Sequence, residues 1–311
     1  MSEGFVHKSV LLEQAVDSLL IDDSGIYIDA TFGRGGHSRQ ILGRLTESGR
    51  LFSMDRDPTA ICEARQLALA DSRFTIAHES FANLERFAEA SGVTGKTSGI
   101  LLDLGVSSPQ LDDASRGFSF QHDGPLDMRM DQASGTSAAD WLNSARESDI
   151  AEVLKSFGEE RYARRIAKAI VSARKERPIT STGRLADIVR HAHPRWERDK
   201  HPATRAFQGI RIFINEELEA LRQALEQSLR VLRIGGRLVV ISFHSLEDKI
   251  VKNFISLQTK GDSFPRDLPI TYSQLQPKMK SVGKAVRPDT GEIEANPRSR
   301  SAIMRVAQRI A

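Results

Sequence analysis

The 311-residue chain has a single cysteine, Cys62, and no run of about 18 apolar residues. One cysteine excludes an intramolecular disulfide framework and a zinc site built from cysteines. The missing apolar run excludes a membrane-spanning helix, and the N-terminal residues MSEGFVHKSVLLEQ lack the charged-then-apolar pattern of a signal peptide. We therefore expect a cytoplasmic protein with no membrane partner and no bound metal.

The net charge is also small, because the chain has 44 Lys and Arg and 41 Asp and Glu. The charge is nevertheless unevenly placed. Residues 155–211 contain 15 Lys and Arg against 6 Asp and Glu, and residues 278–309 contain 8 against 3. Basic segments on a mildly acidic remainder favour a polyanionic partner. Solvated helix faces with i,i+4 ion pairs would give similar counts, so both interpretations stay open.

Short apolar segments alternate with helical patterns in the first third of the chain. Strands are predicted at residues 25–29, 49–54, 74–77 and 98–104, and helices between them at residues 36–45, 58–70 and 81–91. This alternation predicts a parallel α/β sheet with helices on both faces. Ser9 is predicted to cap an earlier helix, and Asp57 to cap the helix that Pro58 begins.

The alternation stops after residue 110 and resumes near residue 214. Residues 111–213 contain helical patterns and no convincing strand, whereas a strand is again predicted at 237–243 and an alternating strand pattern ends the chain. We therefore predict a discontinuous α/β domain formed by residues 1–110 and 214–311. An inserted all-helical domain over residues 111–213 would recognise the substrate and would carry most of the basic charge.

The stretch IDATFGRGGH at residues 28–37 joins the first predicted strand to the next helix. Gly33, Gly35 and Gly36 would bring backbone N–H groups and a helix N-terminus against a bound nucleotide. Asp55 ends the second predicted strand, 19 residues beyond Gly36, where a carboxylate can accept hydrogen bonds from both hydroxyls of a ribose. An ordinary tight turn would also favour these glycines.

Three features favour S-adenosyl-L-methionine over NAD as the nucleotide. Asp29 precedes the glycine loop and can face an ammonium group, whereas a pyrophosphate would be repelled by it. The segment VLRIGGRLVVISF is similar to the fifth-strand region of class I methyltransferases. A terminal antiparallel hairpin also distinguishes that fold from the dehydrogenase fold. An NAD enzyme would need a hydride-transfer partner, and the sequence contains no convincing one.

The fourth predicted strand ends in LLDLGVSSPQLD, and ligands of open α/β sheets bind beyond the carboxyl ends of the strands. Ser107, Ser108 and Pro109 are similar to the loop in which amino-methyltransferases bind an exocyclic NH₂, but Gln110 stands where a second proline would be. A Ser-Pro turn that only closes a strand is the alternative. Asp103 is harder to explain in that way, because a buried unpaired carboxylate is costly.

Four further residues bear on the chemistry: one excludes a reaction type, and three have two interpretations each. Cys62 lies outside the strand-four loop, so a cysteine nucleophile for carbon-5 pyrimidine methylation is not expected; we expect it to pack in the core. Phe118 and Phe120 could stack on a base withdrawn from its neighbours, or they could anchor a long loop. His244, at the end of the fifth predicted strand, could contact the substrate or cap the next helix.

Eight motifs resemble the bacterial 16S ribosomal RNA (cytosine-N4)-methyltransferase family, and they span nearly the whole chain: HKSVLLEQAVDSL, YIDATFGRGGHS, DRDP, GILLDLGVSSPQLDDASRGFSF, DGPLDMRM, GEERYARRIAKAIV, HPATRAFQGIRI and ISFHSLEDKIVK. The resemblance implies a Rossmann-like class I methyltransferase sheet with a helical insertion. It implies methyl transfer from S-adenosyl-L-methionine to N4 of a cytosine in the decoding centre of the small ribosomal subunit. It also implies cofactor contacts at Gly35, Gly36, His37, Asp55, Phe81, Asp103 and Gln110.

The expected mechanism is a single in-line displacement without a metal. Acceptors near Ser107, Ser108 and Pro109, with Asp103 as a further one, would hold the NH₂ group and aim its lone pair at the sulfonium methyl. Most of the rate gain would come from this orientation. The proton can leave after the transfer, so a strong general base is not required.

The predicted macromolecular partner is 16S rRNA in the small ribosomal subunit. Phosphate contacts are expected from Arg164, Arg165 and Lys168 in the insertion and from the basic C-terminal strand. Two alternatives stay open: a homodimer, and a binding module that grips RNA and keeps the cofactor only as a structural ligand. The intact glycine loop, Asp55 and the strand-four loop speak against the binding module.

Overall fold

The structure is a computed structural model and describes residues 9–195, 201–261 and 276–311. Four residues mentioned above lie outside the described residues. They are residues 7 and 8, which begin the first family motif, and the basic residues Arg198 and Lys200. The chain divides into two compact units, Met1–Gly105 with Leu218–Ala311 and Val106–Glu217. Their boundaries lie five and four residues from the predicted ones.

The first unit contains a seven-stranded sheet in the order β3-β2-β1-β4-β5-β7-β6. Its strands are β1 (Ile26–Asp29), β2 (Arg50–Asp55), β3 (Phe74–His78), β4 (Thr97–Asp103), β5 (Leu232–Ser242), β6 (Met279–Ser281) and β7 (Ile303–Arg309). Strands β1 to β5 pair in parallel, and β7 runs antiparallel between β5 and β6. This is the strand order of class I methyltransferases, so the predicted fold class is confirmed.

Helices cover both faces of this sheet. Side chains along β4 alternate between two hydrophobic clusters: Ile100 and Leu102 belong to one, and Leu101 belongs to the other. Because successive strand side chains point to opposite faces, each face must be covered by apolar residues of packed helices. The helices of the first unit are α1 (Leu12–Leu19), α2 (Gly36–Arg44), α3 (Pro58–Ala70), α4 (Leu84–Ala90), α11 (Glu217–Val231, which begins at the unit boundary), α12 (Ser245–Lys260) and α13 (Thr290–Ala295).

Two expectations for these helices are wrong and one is confirmed. Leu11, with φ of 51°, is the N-cap of α1, so Ser9 does not cap that helix. Cys62 is exposed, because the buried stripe of α3 is formed by Ala60, Ile61 and Ala64 and the cysteine lies off that stripe. The Asp57 side chain accepts a hydrogen bond from the Thr59 N–H at 2.8 Å, as expected for the cap of α3.

The second unit is helical and has its own hydrophobic cluster. Its helices are α5 (Ser108–Asp112), α6 (Ala138–Ser144), α7 (Glu147–Ser156), α8 (Ala163–Glu176), α9 (Thr182–Ala192) and α10 (Ala203–Ile214). The cluster includes Leu154, Ile166, Leu185 and Ile210. Among the residues that the structure describes, no helix is long and apolar enough to cross a membrane.

Candidate active site

Three neighbouring parallel strands of the first unit each end in an aspartate: β1 in Asp29, β2 in Asp55 and β4 in Asp103. The carboxyl ends of parallel strands lie along one edge of the sheet, where ligands of such sheets bind. Asp29 is 1% exposed, and its carboxylate accepts hydrogen bonds from the Ser38 hydroxyl at 2.6 Å and the Thr31 N–H at 3.2 Å. Burial nevertheless raises the pKa of Asp29 to about 6.

The glycine loop between β1 and α2 requires glycine for conformation and for space. Gly33 and Gly35 have φ of +55° and +71°, which L side chains rarely adopt. A Cβ atom on Gly35 would lie 2.5 Å from the Phe32 ring, and one on Gly36 would collide with the Ser9 hydroxyl. These glycines therefore allow α2 to begin directly against the strand ends.

Asp55 is fixed in place by this loop. Its Oδ2 accepts a hydrogen bond from the Gly33 N–H at 2.7 Å, and its Oδ1 accepts one from the Asp57 N–H at 2.9 Å. Burial raises the pKa of Asp55 although both hydrogen bonds act in the opposite direction. Each carboxylate oxygen can accept a second hydrogen bond, so the predicted ribose contact stays a prediction that the geometry permits.

Asp103 has an unsatisfied acceptor. Its backbone N–H donates to the Thr31 hydroxyl at 2.7 Å, and its Oδ2 lies 3.6 Å from His37 Nδ1. Its Oδ1 is buried and has no hydrogen-bond partner among the described residues. Burial raises the pKa of Asp103 well above its usual range, and the charges of Asp29 and Glu247 raise it further. A buried acceptor in this position is costly unless a ligand donates to it.

Glu247 is a residue of this region that the sequence analysis missed. It is 2% exposed and lies in the first turn of α12, where its Oε2 accepts hydrogen bonds from the N–H groups of Phe243 and His244 at 2.8 and 3.2 Å. His244 is the N-cap residue of α12, and its Nε2 lies 3.2 Å from Glu247 Oε1. His244 thus occupies the cap position, and its contact with the substrate stays a prediction. The spacing of a cap residue and a glutamate three positions later was the available signal.

The strand ends of the first unit are electrostatically suited to a cation. Burial is the main cause of the raised pKa values of Asp29 and Asp103. Repulsion from Asp55 raises the pKa of Asp29 further, and repulsion from Asp29 and Glu247 does the same for Asp103. A positively charged ligand would relieve this repulsion and favour the ionised carboxylates. Within the described ranges, no group of three or more His, Cys, Asp and Glu side chains is arranged to hold a metal ion.

Phe81, another predicted cofactor contact, begins a 3-10 helix after β3. Its ring is partly buried and packs against the hydrophobic cluster on one face of the sheet. The ring therefore has a packing role, and its contact with a cofactor stays a prediction.

In the second unit, the Ser-Ser-Pro sequence forms the start of α5. Ser107 is the N-cap residue, and Pro109 lies in the first turn, where proline needs no hydrogen-bond donor. Gln110 is 8% exposed, and its Oε1 accepts a hydrogen bond from the Ser107 N–H at 2.8 Å. Gln110 thus completes a capping box, which explains locally why it replaces a second proline. The catalytic roles of Ser107, Ser108 and Pro109 and the cofactor contact of Gln110 stay predictions.

The two phenylalanines of the second unit support their loop. Phe118 is 5% exposed and belongs to the hydrophobic cluster, which contradicts the interpretation in which its ring is exposed and stacks on a base. Phe120 is partly buried, with its ring centroid 4.9 Å from that of Phe207 and 4.6 Å from that of His201. Both rings fit the alternative that the sequence allowed, in which they anchor a long loop.

The three cations predicted to contact RNA lie on α8. Arg164, Arg165 and Lys168 are all exposed, while Ile166 and Ile170 of the same helix are fully buried. The helix is therefore amphipathic, with its basic residues available to a partner in solution. Their contact with RNA phosphates stays a prediction.

Comparisons with known proteins agree over the length of the chain. A profile of the MraW methylase family matches residues 4–310. The ribosomal RNA small subunit methyltransferase H of Chromohalobacter salexigens is 59% identical over 305 residues, which cover 98% of this chain and 92% of that protein. The protein of the same name from Alteromonas mediterranea is 56% identical over 308 residues, 98% of each chain. A solved rRNA methylase from Streptococcus thermophilus aligns over 96% of this chain and 92% of its own, at 11% identity and a TM-score of 0.40.

Proposed function

The chain belongs to the MraW methylase family, and from this premise we propose that it methylates the exocyclic N4 of a cytosine in the decoding centre of 16S rRNA. The relatives described above are named as methyltransferases of small-subunit rRNA, which supports the small ribosomal subunit as the substrate. Assembly of that subunit would place the enzyme in the cytoplasm. S-adenosyl-L-methionine is the methyl donor.

The residues of the first unit suit this donor. S-adenosyl-L-methionine supplies a methyl group on a positively charged sulfonium, and it carries an ammonium group as well. Asp29 and Asp103 offer carboxylates that are repelled by neighbouring acidic groups, and a cation would relieve this repulsion. Asp55 would accept hydrogen bonds from the ribose hydroxyls. The remaining proposed contacts are Gly33, Gly35, Gly36, His37, Phe81 and Gln110.

One observation carries the proposal: Asp103 Oδ1 is buried at the end of β4 and has no hydrogen-bond partner in the part of the chain that the structure describes. An acceptor placed there can take an N–H from a ligand, and an exocyclic NH₂ group is such a donor. Ser107, Ser108 and Pro109 follow within six residues and would supply further hydroxyl and carbonyl acceptors. Acceptors of this kind distinguish an amine from a ribose hydroxyl, which offers a single proton.

These residues would act mainly by orientation. The N4 lone pair of cytosine is delocalised into the ring, so holding both N–H bonds fixes the direction in which the lone pair can attack. Well-oriented reactants gain up to about 7–11 kcal/mol relative to free ones. The methylated nitrogen is acidic until it loses a proton, and Asp103 therefore need not be a strong base.

Transfer to unmethylated small subunits tests the proposal directly. The protein is incubated with methyl-labelled S-adenosyl-L-methionine and subunits, and the rRNA is digested to nucleosides for chromatography and mass spectrometry. We expect the label in N4-methylcytidine. Label on a ribose oxygen or a base carbon would overturn the assignment to N4. Cofactor binding without any transfer would instead support the binding module.

A further inference from the structure

A groove of about 1170 Å³ lies in the second unit, lined largely by residues of α8 and α9. Four small residues keep it open: Ala169, Ala173, Gly183 and Ala192. Around them are seven charged residues: Arg165, Lys168, Arg177, Arg184, Asp123, Glu176 and Asp187. The balance of charge in the groove depends on which of these already have partners.

Two of the three acids are engaged within the protein. Asp123 Oδ1 accepts a hydrogen bond from the Gly183 N–H at 2.7 Å, which with neighbouring hydroxyls lowers the pKa of Asp123. Asp187 forms an ion pair with Arg190 at 2.7 Å. Glu176 makes no ion pair with any residue in the described part of the chain. One acid therefore remains open to a ligand.

Most of the cations are open. Arg184 is engaged, since its Nη2 donates to the carbonyl oxygens of Ala173 and Arg177 at 3.2 and 3.1 Å and so joins α9 to the end of α8. Arg165, Lys168 and Arg177 are exposed and form no ion pair within residues 9–195, 201–261 and 276–311. Three open cations thus face one open acid.

We propose that this groove binds the sugar-phosphate backbone of the RNA substrate. Arg165 and Lys168 are three residues apart and therefore lie on one face of α8, and Ser172 continues that face with a hydroxyl that can donate to a phosphate. Such contacts position RNA without reading its sequence, and each releases condensed counterions. The inference rests on the proposed function, since it assumes that the substrate is RNA.

Two double variants test the groove. Arg165→Ala with Lys168→Ala removes two groove cations. Lys155→Ala with Lys175→Ala removes two exposed cations of the second unit that do not line the groove, and so matches the change in charge. A third variant, Glu176→Gln, removes the open acid and should act in the opposite direction.

Binding to unmethylated small subunits is measured against salt concentration, together with methylation kinetics. The variant with Arg165→Ala and Lys168→Ala, here called the groove pair, should have a shallower slope of log K against log salt. The magnitude of the slope should fall by about 1.4–1.8, the value for two lost phosphate contacts. It should also raise KM with kcat unchanged. The control pair should have a clearly smaller effect, and Glu176→Gln should lower the Kd. Thermal unfolding of each variant checks that the fold is kept.

Equal effects of the two pairs, or an unchanged salt slope in the groove pair, would overturn the inference. Saturation of the groove by inorganic phosphate without any effect on subunit binding would assign it to a small anion and also overturn it. Wild-type protein that methylates no subunits would overturn the proposed function. Normal methylation with an unaltered slope in the groove pair would overturn the groove alone.

Discussion

Asp29 illustrates how a single buried carboxylate links stability to the ligand. The sequence predicted that Asp29 ends β1 and that its carboxylate faces a cationic group of the ligand. The sequence could not reveal that Ser38 and Thr31 already donate to it, because those contacts depend on how α2 packs against the sheet. Cys62 and Ser9 were mispredicted, and the two interpretations of Phe118 could not be separated, for the same reason: burial and capping depend on neighbours that are distant in sequence.

Replacing Asp29 with Asn should remove a pH dependence of stability. The folded pKa of Asp29 is about 6 against an ordinary value of 3.8, so the folded state binds the proton more tightly than the unfolded state does. The contribution of Asp29 to stability is therefore fully present below about pH 4 and is lost as the pH rises through 6, by about 1.4 kcal/mol per pKa unit. Urea unfolding between pH 4 and 7 measures it. A parallel pH profile in Asp29→Asn would contradict the assignment.

Replacing Asp55 with Ala should weaken S-adenosyl-L-methionine binding while leaving RNA affinity nearly intact. A hydrogen bond to a charged group contributes about 1.5–3 kcal/mol, and Asp55 would make two of them to the ribose. Calorimetry gives the cofactor affinity. Unchanged affinity would remove the ribose assignment. Asp55→Asn is a useful companion variant, because it keeps the side-chain shape next to the Gly33 N–H.

At the scale of elements, alternating apolar patterns predicted the sheet well. The first four strands were placed within two residues of their observed bounds. The start of β5 was missed because its first residues include Gly235 and Gly236, which are poor strand formers. Within the insertion, Gly209 lies inside α10 although glycine is a poor helix former. A Cβ on Gly209 would lie 2.7 Å from the Gly158 backbone nitrogen, so a close helix approach, which the sequence does not display, explains that glycine.

Two glycines near and within α2 should respond oppositely to alanine. Gly35→Ala should destabilise the protein by more than about 1–2 kcal/mol, because φ is +71° and the new Cβ would meet the Phe32 ring. Gly43→Ala should be neutral or stabilise by up to about 1 kcal/mol, because nothing lies within 4 Å and helix entropy favours alanine. Thermal unfolding compares the two. Equal changes of the same sign would contradict this account of the glycine loop.

For the whole molecule, the larger basic segment, residues 155–211, and the acidic strand ends fall in different compact units. The cations of α8 belong to Val106–Glu217, and the carboxylates of β1, β2 and β4 belong to the other unit. Composition left a polyanionic partner as one of two interpretations. The resemblance of eight motifs implied the family, which the comparisons confirm. The groove between α8 and α9 was beyond sequence reasoning, because it requires knowing which charged residues face each other and which are already paired.

This separation predicts that cofactor and RNA contacts can be removed independently. S-adenosyl-L-methionine at 100 times its Kd should stabilise the wild type by about 2.7 kcal/mol. The triple variant Arg164→Ala, Arg165→Ala and Lys168→Ala should keep that stabilisation, while the salt slope of its RNA binding falls. Differential scanning fluorimetry and subunit binding measure the two effects. An unchanged salt slope would show that these α8 residues have a structural role only.

The pairing of β4 with β5 has a consequence for synthesis of the chain. Asp103 is paired with Ile241, so this contact closes only after the entire Val106–Glu217 unit has left the ribosome. Helical contacts within that unit are local in sequence and form quickly, whereas the β4–β5 pair must wait. The sheet that holds the carboxylates would thus be completed last. The free edge of β5 stays uncovered until β7, which pairs with it, has been translated.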